Sequence, residues 1–205
     1  MKAVYRIVCA ALAIAALPIM YFQPLLRLIF SPNQILIEEK ISIKRAVDLF
    51  TGDGIFSNLT GGKGLTMTPA LKELLTPVIA TGVLLAIAVI IMIIIFFFAV
   101  FSNKQLLITI LSAVGLILVA VSFITFKSAT NPIINGEVPL SSLIEMGFLG
   151  SMISSLISIK VLQLSSAPTL LLFLFIFILA WSLSFVITDI GEEAPQKSNT
   201  KKLKI

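Results

Sequence analysis

Long apolar runs separated by polar stretches dominate this sequence. A bilayer core of about 30 Å requires roughly 20 apolar residues at 1.5 Å per residue of helix. Three runs meet this requirement and predict membrane-spanning helices: Pro77 to Phe101, Gln105 to Phe126, and Pro168 to Thr188. The part of the first run from Ile90 to Phe98 contains only Ile, Met and Phe, so it must face lipid or other apolar helices.

The N-terminal run from Val4 to Phe22 predicts a fourth span. Lys2 and Arg6 precede its Ala-rich core, a pattern that also fits a signal peptide. We expect this segment to be retained as a span, enclosed by other helices because its side chains are small.

The segment from Leu143 to Leu164 is long enough to span but carries Glu145 and Lys160. Three alternatives remain open for it: an amphipathic surface helix, a re-entrant element or a fifth span. Small residues recur along one side of the helix that it would form, and such residues let helix backbones approach closely. The predicted packing or partner-contact residues are therefore Gly147, Ser151, Ser154, Ser155 and Ser158. Ordinary packing within the chain is the simpler alternative.

The first connection between spans contains a second candidate surface. Ser42 can cap a short helix that ends near Gly52, and its apolar positions follow helical spacing. This helix would present Ile43, Val47 and Phe50 to a partner, or would pack on its own bundle. Further along, Thr68 and Pro69 suit a helix start, so the second spanning helix is expected to begin there and run through Pro77.

The pattern predicts an all-α integral membrane protein, a four-transmembrane-helix bundle with an additional amphipathic or re-entrant helix before the last span. Residues 1–190 would form one transmembrane domain, with outer loops at 23–76 and 127–167 and a tight turn from Ser102 to Lys104. Residues 191–205 would form a disordered, lysine-rich cytoplasmic tail. With four spans, both termini share a side with Lys104, and the positive-inside rule places that side in the cytoplasm. We expect a plasma membrane location, specifically a bacterial inner membrane.

Composition supports this picture and limits the chemistry. The chain has 205 residues, is 58% hydrophobic and contains no histidine and one cysteine, Cys9. Haem ligation by histidine, a Cys/His zinc site and an imidazole proton relay are thereby excluded within the chain. The 15 basic residues are scattered apart from four lysines in the tail, which indicates topology rather than nucleic-acid binding. We therefore expect no nucleic-acid partner.

Ionisable residues are absent from the three clear spans, whereas transporters and pumps usually place such residues at mid-membrane depth. The acidic residues of the first loop, Glu38 among them, have no nucleophile or base at a telling spacing and are interpreted as solvated surface charge. These observations predict a protein that is not an enzyme and has no cofactor or metal site.

Two family resemblances follow from short features. The order of elements resembles that of claudin-like proteins: one span, a long outer loop, two tightly joined spans, a second outer loop and a last span. Residues 23–76 nevertheless lack that family's tryptophan and cysteines. Leu17-Pro18-Ile19-Met20 resembles a stretch in paraquat-inducible protein A-like membrane proteins, which are associated with lipid trafficking. That family's cysteine-rich zinc element is absent, and neither resemblance names a family for this chain.

Three functional hypotheses follow. The first is a non-catalytic structural or accessory subunit of a larger membrane complex, whose partners are other membrane protein subunits and membrane lipids. The second is a component of a system that transports lipid or another small apolar molecule. The third is a sensor or regulator that works through the first loop.

Overall fold

The computed structural model describes residues 2–32, 37–44, 69–102, 104–137 and 157–193. Four long helices dominate this part of the chain: α1 (Lys2–Phe22), α2 (Pro69–Phe101), α3 (Gln105–Ile134) and α4 (Ser166–Glu193). Three strands accompany them: β1 (Pro24–Pro32), β2 (Ile37–Ser42) and β3 (Ile157–Leu164).

All four helices are long and apolar enough to cross a membrane, over Val4–Phe22, Thr76–Phe101, Gln105–Ile134 and Ser166–Ile187. This confirms the prediction of four long apolar helices that could span a membrane. Large apolar side chains lie exposed around the bundle, for example Phe101 at 76% and Ile124 at 70%. Such a surface would aggregate in water, whereas the hydrocarbon of a bilayer covers it.

The helices form a closed ring in which each contacts its neighbours along the chain and α1 contacts α4. Their buried positions alternate between spacings of three and four residues, as at Ile108, Ser112, Gly115, Val119 and Ser122 of α3. A repeat of about 3.5 residues keeps one stripe of each helix against its neighbours and favours a small left-handed crossing angle.

The side chains of Ile90 to Phe98 face both predicted surroundings, the other helices and the outside of the bundle. Ile91, Met92 and Ile95 are buried in the bundle, whereas Ile90 and Ile94 are exposed to the surroundings.

Helix α1 differs from its prediction, because it is not enclosed on all sides. Tyr5, Cys9, Ala13, Ala16 and Met20 form one buried stripe. The opposite side is open, with Ile7 at 68% exposure. Small side chains on one stripe are sufficient for close packing against α2 and α4.

The connection between α2 and α3 is as short as expected, since α2 ends at Phe101 and α3 begins at Gln105. Arg6 of α1 reaches this end of the bundle, hereafter the turn end. Its guanidinium donates from Nε to the carbonyl of Ala99 at 2.8 Å and from Nη2 to the carbonyl of Val100. These carbonyls belong to the last turn of α2, where helical partners run out and the helix dipole is negative.

Two helices extend past the predicted span limits at the opposite end. Helix α2 begins at Pro69, as the Thr68-Pro69 pair predicted. Helix α3 continues beyond Phe126 to Ile134, so the outer connection is shorter than the predicted 127–167. Thr130 and Ile133 are buried, and the Thr130 hydroxyl donates to the carbonyl of Phe126 at 3.0 Å. Packing therefore sustains helix where the apolar run has ended.

A three-stranded antiparallel sheet in the order β2-β1-β3 covers this second end, hereafter the sheet end. The sheet corrects the prediction for Leu143 to Leu164, because residues 157–164 form strand β3 and not a helix. Residues 138–156 lie outside the described residues.

The fifth-span alternative does not apply to residues 157–164, because they form strand β3. Helix α3 ends at the sheet end, and β3 is paired with β1 at that same end before α4 begins. The remaining part of the predicted segment lies outside the described residues.

Candidate functional site

The sheet joins the two outer connections of the chain into one surface. Strand β1 directly follows α1, and its partner β3 directly precedes α4. The register pairs Leu26 with Leu164 and Leu28 with Leu162. Beyond the last strand pair, the amide of Ser165 donates to the carbonyl of Leu25 at 2.8 Å. The first and last helices are thus tied together at the point where they leave the membrane-spanning bundle.

The two faces of the sheet differ in chemistry. Side chains alternate along a strand, and directly paired residues share a face. Leu26 and Leu162 pack against the apolar core, and Leu164 is buried within it. The other face carries mainly polar side chains, among them Arg27 with its register partners Lys40 and Gln163, together with Ile29 and Val161. The sheet therefore seals the end of the bundle with one face and presents polar groups with the other.

An ion-pair network organises this polar face. The Arg27 guanidinium donates to both carboxylate oxygens of Glu38, at 3.0 Å and 3.3 Å. Lys40 Nζ lies 3.2 Å from Glu38 Oε1. Hydrogen bonds from Arg27, and then from Lys40, lower the pKa of the Glu38 carboxyl below its usual range. Glu38 is thus surface charge, as interpreted from sequence, but it is held in place by two cations.

A polar cavity of about 450 Å³ lies where this network meets the start of α4. Ser166 Oγ and Gln23 Oε1 are 3.4 Å apart in its wall and join the start of α4 to the end of α1. The remaining lining residues are Pro24, Arg27, Glu38, Lys40 and Ser165. Mixed charge, hydroxyl and amide groups suit contact with a polar surface rather than with lipid tails.

A second, mostly apolar groove of about 420 Å³ lies between α3 and β3. Phe123, Ile124, Phe126, Leu162 and Leu164 supply its apolar walls, with Lys127 and Gln163 also lining it.

Side chains of α3 and α4 pack closely in the interior of the bundle. Phe175 of α4 lies directly on Gly115 of α3, where an added Cβ would come within 2.1 Å of the ring. Buried hydroxyls are satisfied by their own helices, since Ser112 donates to the carbonyl of Ile108 and Ser122 to that of Val119, both at 2.7 Å. At Gly115 the two helices therefore meet without space for a larger side chain, and these two buried hydroxyls are bonded within their own helix.

The Tyr5 hydroxyl differs from these bonded hydroxyls. Among the buried side-chain nitrogen and oxygen atoms of the described residues, only the Tyr5 hydroxyl lacks a hydrogen-bond partner. Its ring packs on that of Phe185, with centroids 4.9 Å apart. Within the described ranges, no three His, Cys, Asp or Glu residues are close enough together to hold a metal ion.

The residues predicted from sequence fall mostly elsewhere. Gly147, Ser151, Ser154 and Ser155 lie outside the described residues, as do Val47 and Phe50. Ser158 belongs to β3, opposite Ser31 of β1, so it cannot be part of a helical stripe. Ile43 follows β2 directly, in helical conformation with Lys44. The contact roles proposed for these residues stay predictions.

Sequence reasoning missed the sheet and its polar network, although a signal was present. The stretch Ile157 to Leu164 reads I-S-I-K-V-L-Q-L, with isoleucines alternating with polar residues at its start. Strict alternation and β-branched residues favour a strand. A helix was predicted instead because small residues upstream, mostly serines, recur at helical spacing.

The comparisons with known proteins leave the site to be interpreted from its own chemistry. No family model, no curated protein and no solved structure matches this chain.

Proposed function

We propose that this chain is a non-catalytic subunit of a larger membrane protein assembly, in which the polar face of the sheet docks the extramembrane part of a partner subunit. The observation that carries the proposal is the sheet itself. The β1–β3 pairing joins the two outer connections, and Leu26, Leu162 and Leu164 of its apolar face pack against the bundle. The face left available is polar and fixed by ion pairs.

The closed bundle supports the same function. Catalysis or conduction through one chain would require polar groups that converge on a cavity within the helices. The buried hydroxyls of α3 are instead bonded to backbone carbonyls, and Phe175 fills the approach to Gly115. A rigid bundle with a preformed polar surface is suited to holding another protein in position.

The proposal includes an orientation. The turn end carries Arg6 and Lys104, and α1 begins and α4 ends on the same side. The positive-inside rule then places the turn end in the cytoplasm and the sheet outside, in a plasma membrane. The partner would accordingly be met on the extracytoplasmic side.

Native mass measurement after mild detergent extraction tests this function. We expect the full chain to be recovered with a partner in fixed stoichiometry, and Arg27→Glu to lose that partner because two carboxylates would then face each other. Lys104→Glu, a charge reversal at the turn end, is the matched control and should retain it. A chain recovered only as a monomer, or a partner retained equally by both variants, would contradict the proposal.

The groove between α3 and β3 favours a second candidate, a component of a lipid transport system. Because the bundle interior is closed, lipid would have to move along the outside of the helices. Lipid exchange between vesicles containing the purified chain would test it, and exchange no faster than in empty vesicles would rule out transport by this chain alone.

A further inference from the structure

The groove between α3 and β3 lies across the boundary between apolar and polar surroundings. Phe123 and Ile124 are reached after about 20 residues of α3, which at 1.5 Å each is about the thickness of a bilayer core. Ile124 is 70% exposed and apolar, as expected of a side chain that faces lipid. One turn later Lys127 is exposed, and it lines the same groove.

The walls and the mouth of the groove have different chemistry. Phe123, Phe126, Leu162 and Leu164 provide aromatic and aliphatic surface. Lys127 adds an ammonium with three donors, and Gln163 adds an amide. A ligand for this site needs an apolar chain attached to a hydrogen-bond acceptor that carries negative charge.

Lys127 is also available to such a ligand. Within the described ranges its ammonium has no carboxylate within ion-pair distance, whereas Arg27 and Lys40 at the same end share Glu38. An unpaired lysine beside apolar surface at the edge of a membrane attracts the phosphate of a lipid while its stem stays in contact with apolar atoms.

We propose that the α3–β3 groove binds one anionic phospholipid. The acyl chain lies against the apolar walls, and the phosphate is bound by Lys127 with Gln163 beside it. Bound in this way, the lipid fills the gap between the sheet and the bundle and fixes β3 against α3. The site shares no residue with the Arg27–Glu38–Lys40 network, and Gln163, the register partner of Arg27, lies between the two.

Lipid retention by the purified full chain tests the proposal. The protein is reconstituted in vesicles that contain phosphatidylcholine and phosphatidylglycerol in equal parts and is then extracted in mild detergent. Native mass spectrometry identifies and counts the lipids that stay bound. We expect phosphatidylglycerol to be retained in preference, with one molecule per chain. A lysine near an anionic surface contributes about 1 kcal/mol, so Lys127→Gln should lower that preference about fivefold.

Two further variants make the result specific. Lys160→Gln removes a second exposed lysine, which lies in β3 but outside the groove lining, and should leave retention unchanged. Leu162→Phe enlarges an apolar wall and should lower retention of both lipids. Equal retention of the two lipids by the wild-type chain, or equal loss in the Lys127 and Lys160 variants, would overturn the proposal. Loss of a copurifying polypeptide instead of a lipid from Lys127→Gln would assign the groove to a protein partner and would also overturn it.

Discussion

Phe175 of α4 packs directly on Gly115 of α3 and leaves no space for a side chain there. An alanine at position 115 would place Cβ 2.1 Å from Phe175 Cε1 and 2.3 Å from Cζ, closer than carbon atoms can approach. Because Phe175 is fully buried, its ring cannot turn away freely. We expect Gly115→Ala to lower the free energy of unfolding by about 1–3 kcal/mol, the usual cost of overpacking. Denaturation in mixed micelles would measure it.

A matched control separates this steric effect from the general effect of replacing glycine in a helix. A Cβ added at Gly82 of α2 would meet no atom within 4 Å, so Gly82→Ala should be neutral or stabilise by up to about 1 kcal/mol. Combining Gly115→Ala with Phe175→Leu should cost less than the sum of the two single changes. Additive costs would mean that the ring does not limit the approach of α3 and α4.

Arg6 is the second residue whose role is specific. It ties α1 to the C-terminal carbonyls of α2 at Ala99 and Val100. We expect Arg6→Gln to lower the free energy of unfolding by about 0.5–1 kcal/mol, because a cation at the negative end of a helix is lost. Arg6→Lys should recover only part of this, since it keeps the charge but not the planar fork of donors. An equal loss in both variants would show that geometry, not charge, sets the contribution.

At the scale of elements, β3 shows where pattern and structure diverge. The apolar helices were predictable because lipid demands long apolar runs, and no other local arrangement satisfies their backbone. Strand β3 depends on β1, which lies far away in the sequence, and such pairing leaves only a weak local signal. The extension of α3 was missed for a related reason, since Lys127 and Asn131 end the apolar run while buried Thr130 and Ile133 continue the helix.

The β1–β2 pair should respond to acid through Glu38. Its pKa is lowered in the folded state, chiefly by hydrogen bonds from Arg27, so its contribution to stability is complete above the unfolded value of about 4.3. That contribution is lost as the pH falls through the lower, folded pKa. We expect the difference in unfolding free energy between wild type and Glu38→Gln to be small, as for other exposed pairs, and to disappear in this acid range.

The control for this prediction is Glu137→Gln. Glu137 accepts a hydrogen bond from Asn135 at 3.3 Å and lies outside the sheet. Because this replacement leaves Arg27, Glu38 and Lys40 unchanged, the variant should keep the acid-dependent contribution of their ion pairs. A wild-type difference from Glu38→Gln that stays constant down to the lowest pH would show that the ion pair contributes nothing to folding.

At the scale of the whole molecule, the sequence predicts the four apolar helices but not the sheet and ion pairs at the sheet end of the bundle. The sequence predicts the four helices because the chain has four apolar segments. It predicts the tight turn because only Ser102 to Lys104 separate the second and third segments. The polar network of Arg27, Glu38 and Lys40 could not be predicted, because it depends on a strand register that no local pattern determines. Small residues also lie in the buried stripe of α3, at Ser112, Gly115 and Ser122, which the sequence pattern did not single out.

The arrangement of ends makes a prediction about topology that does not depend on the partner. An even number of crossings places Lys40 and Glu137 at the sheet end together, and Lys104 at the turn end. In a Cys9→Ala background, a cysteine at position 40 or 137 should react with an impermeant maleimide on intact cells. A cysteine at position 104 should react only after the membrane is opened. If position 137 were to label with position 104, α3 would not cross the membrane and the four-span arrangement would be wrong. If instead all three positions reversed together, the fold would stand, and the proposed orientation would be inverted along with the side on which a partner docks.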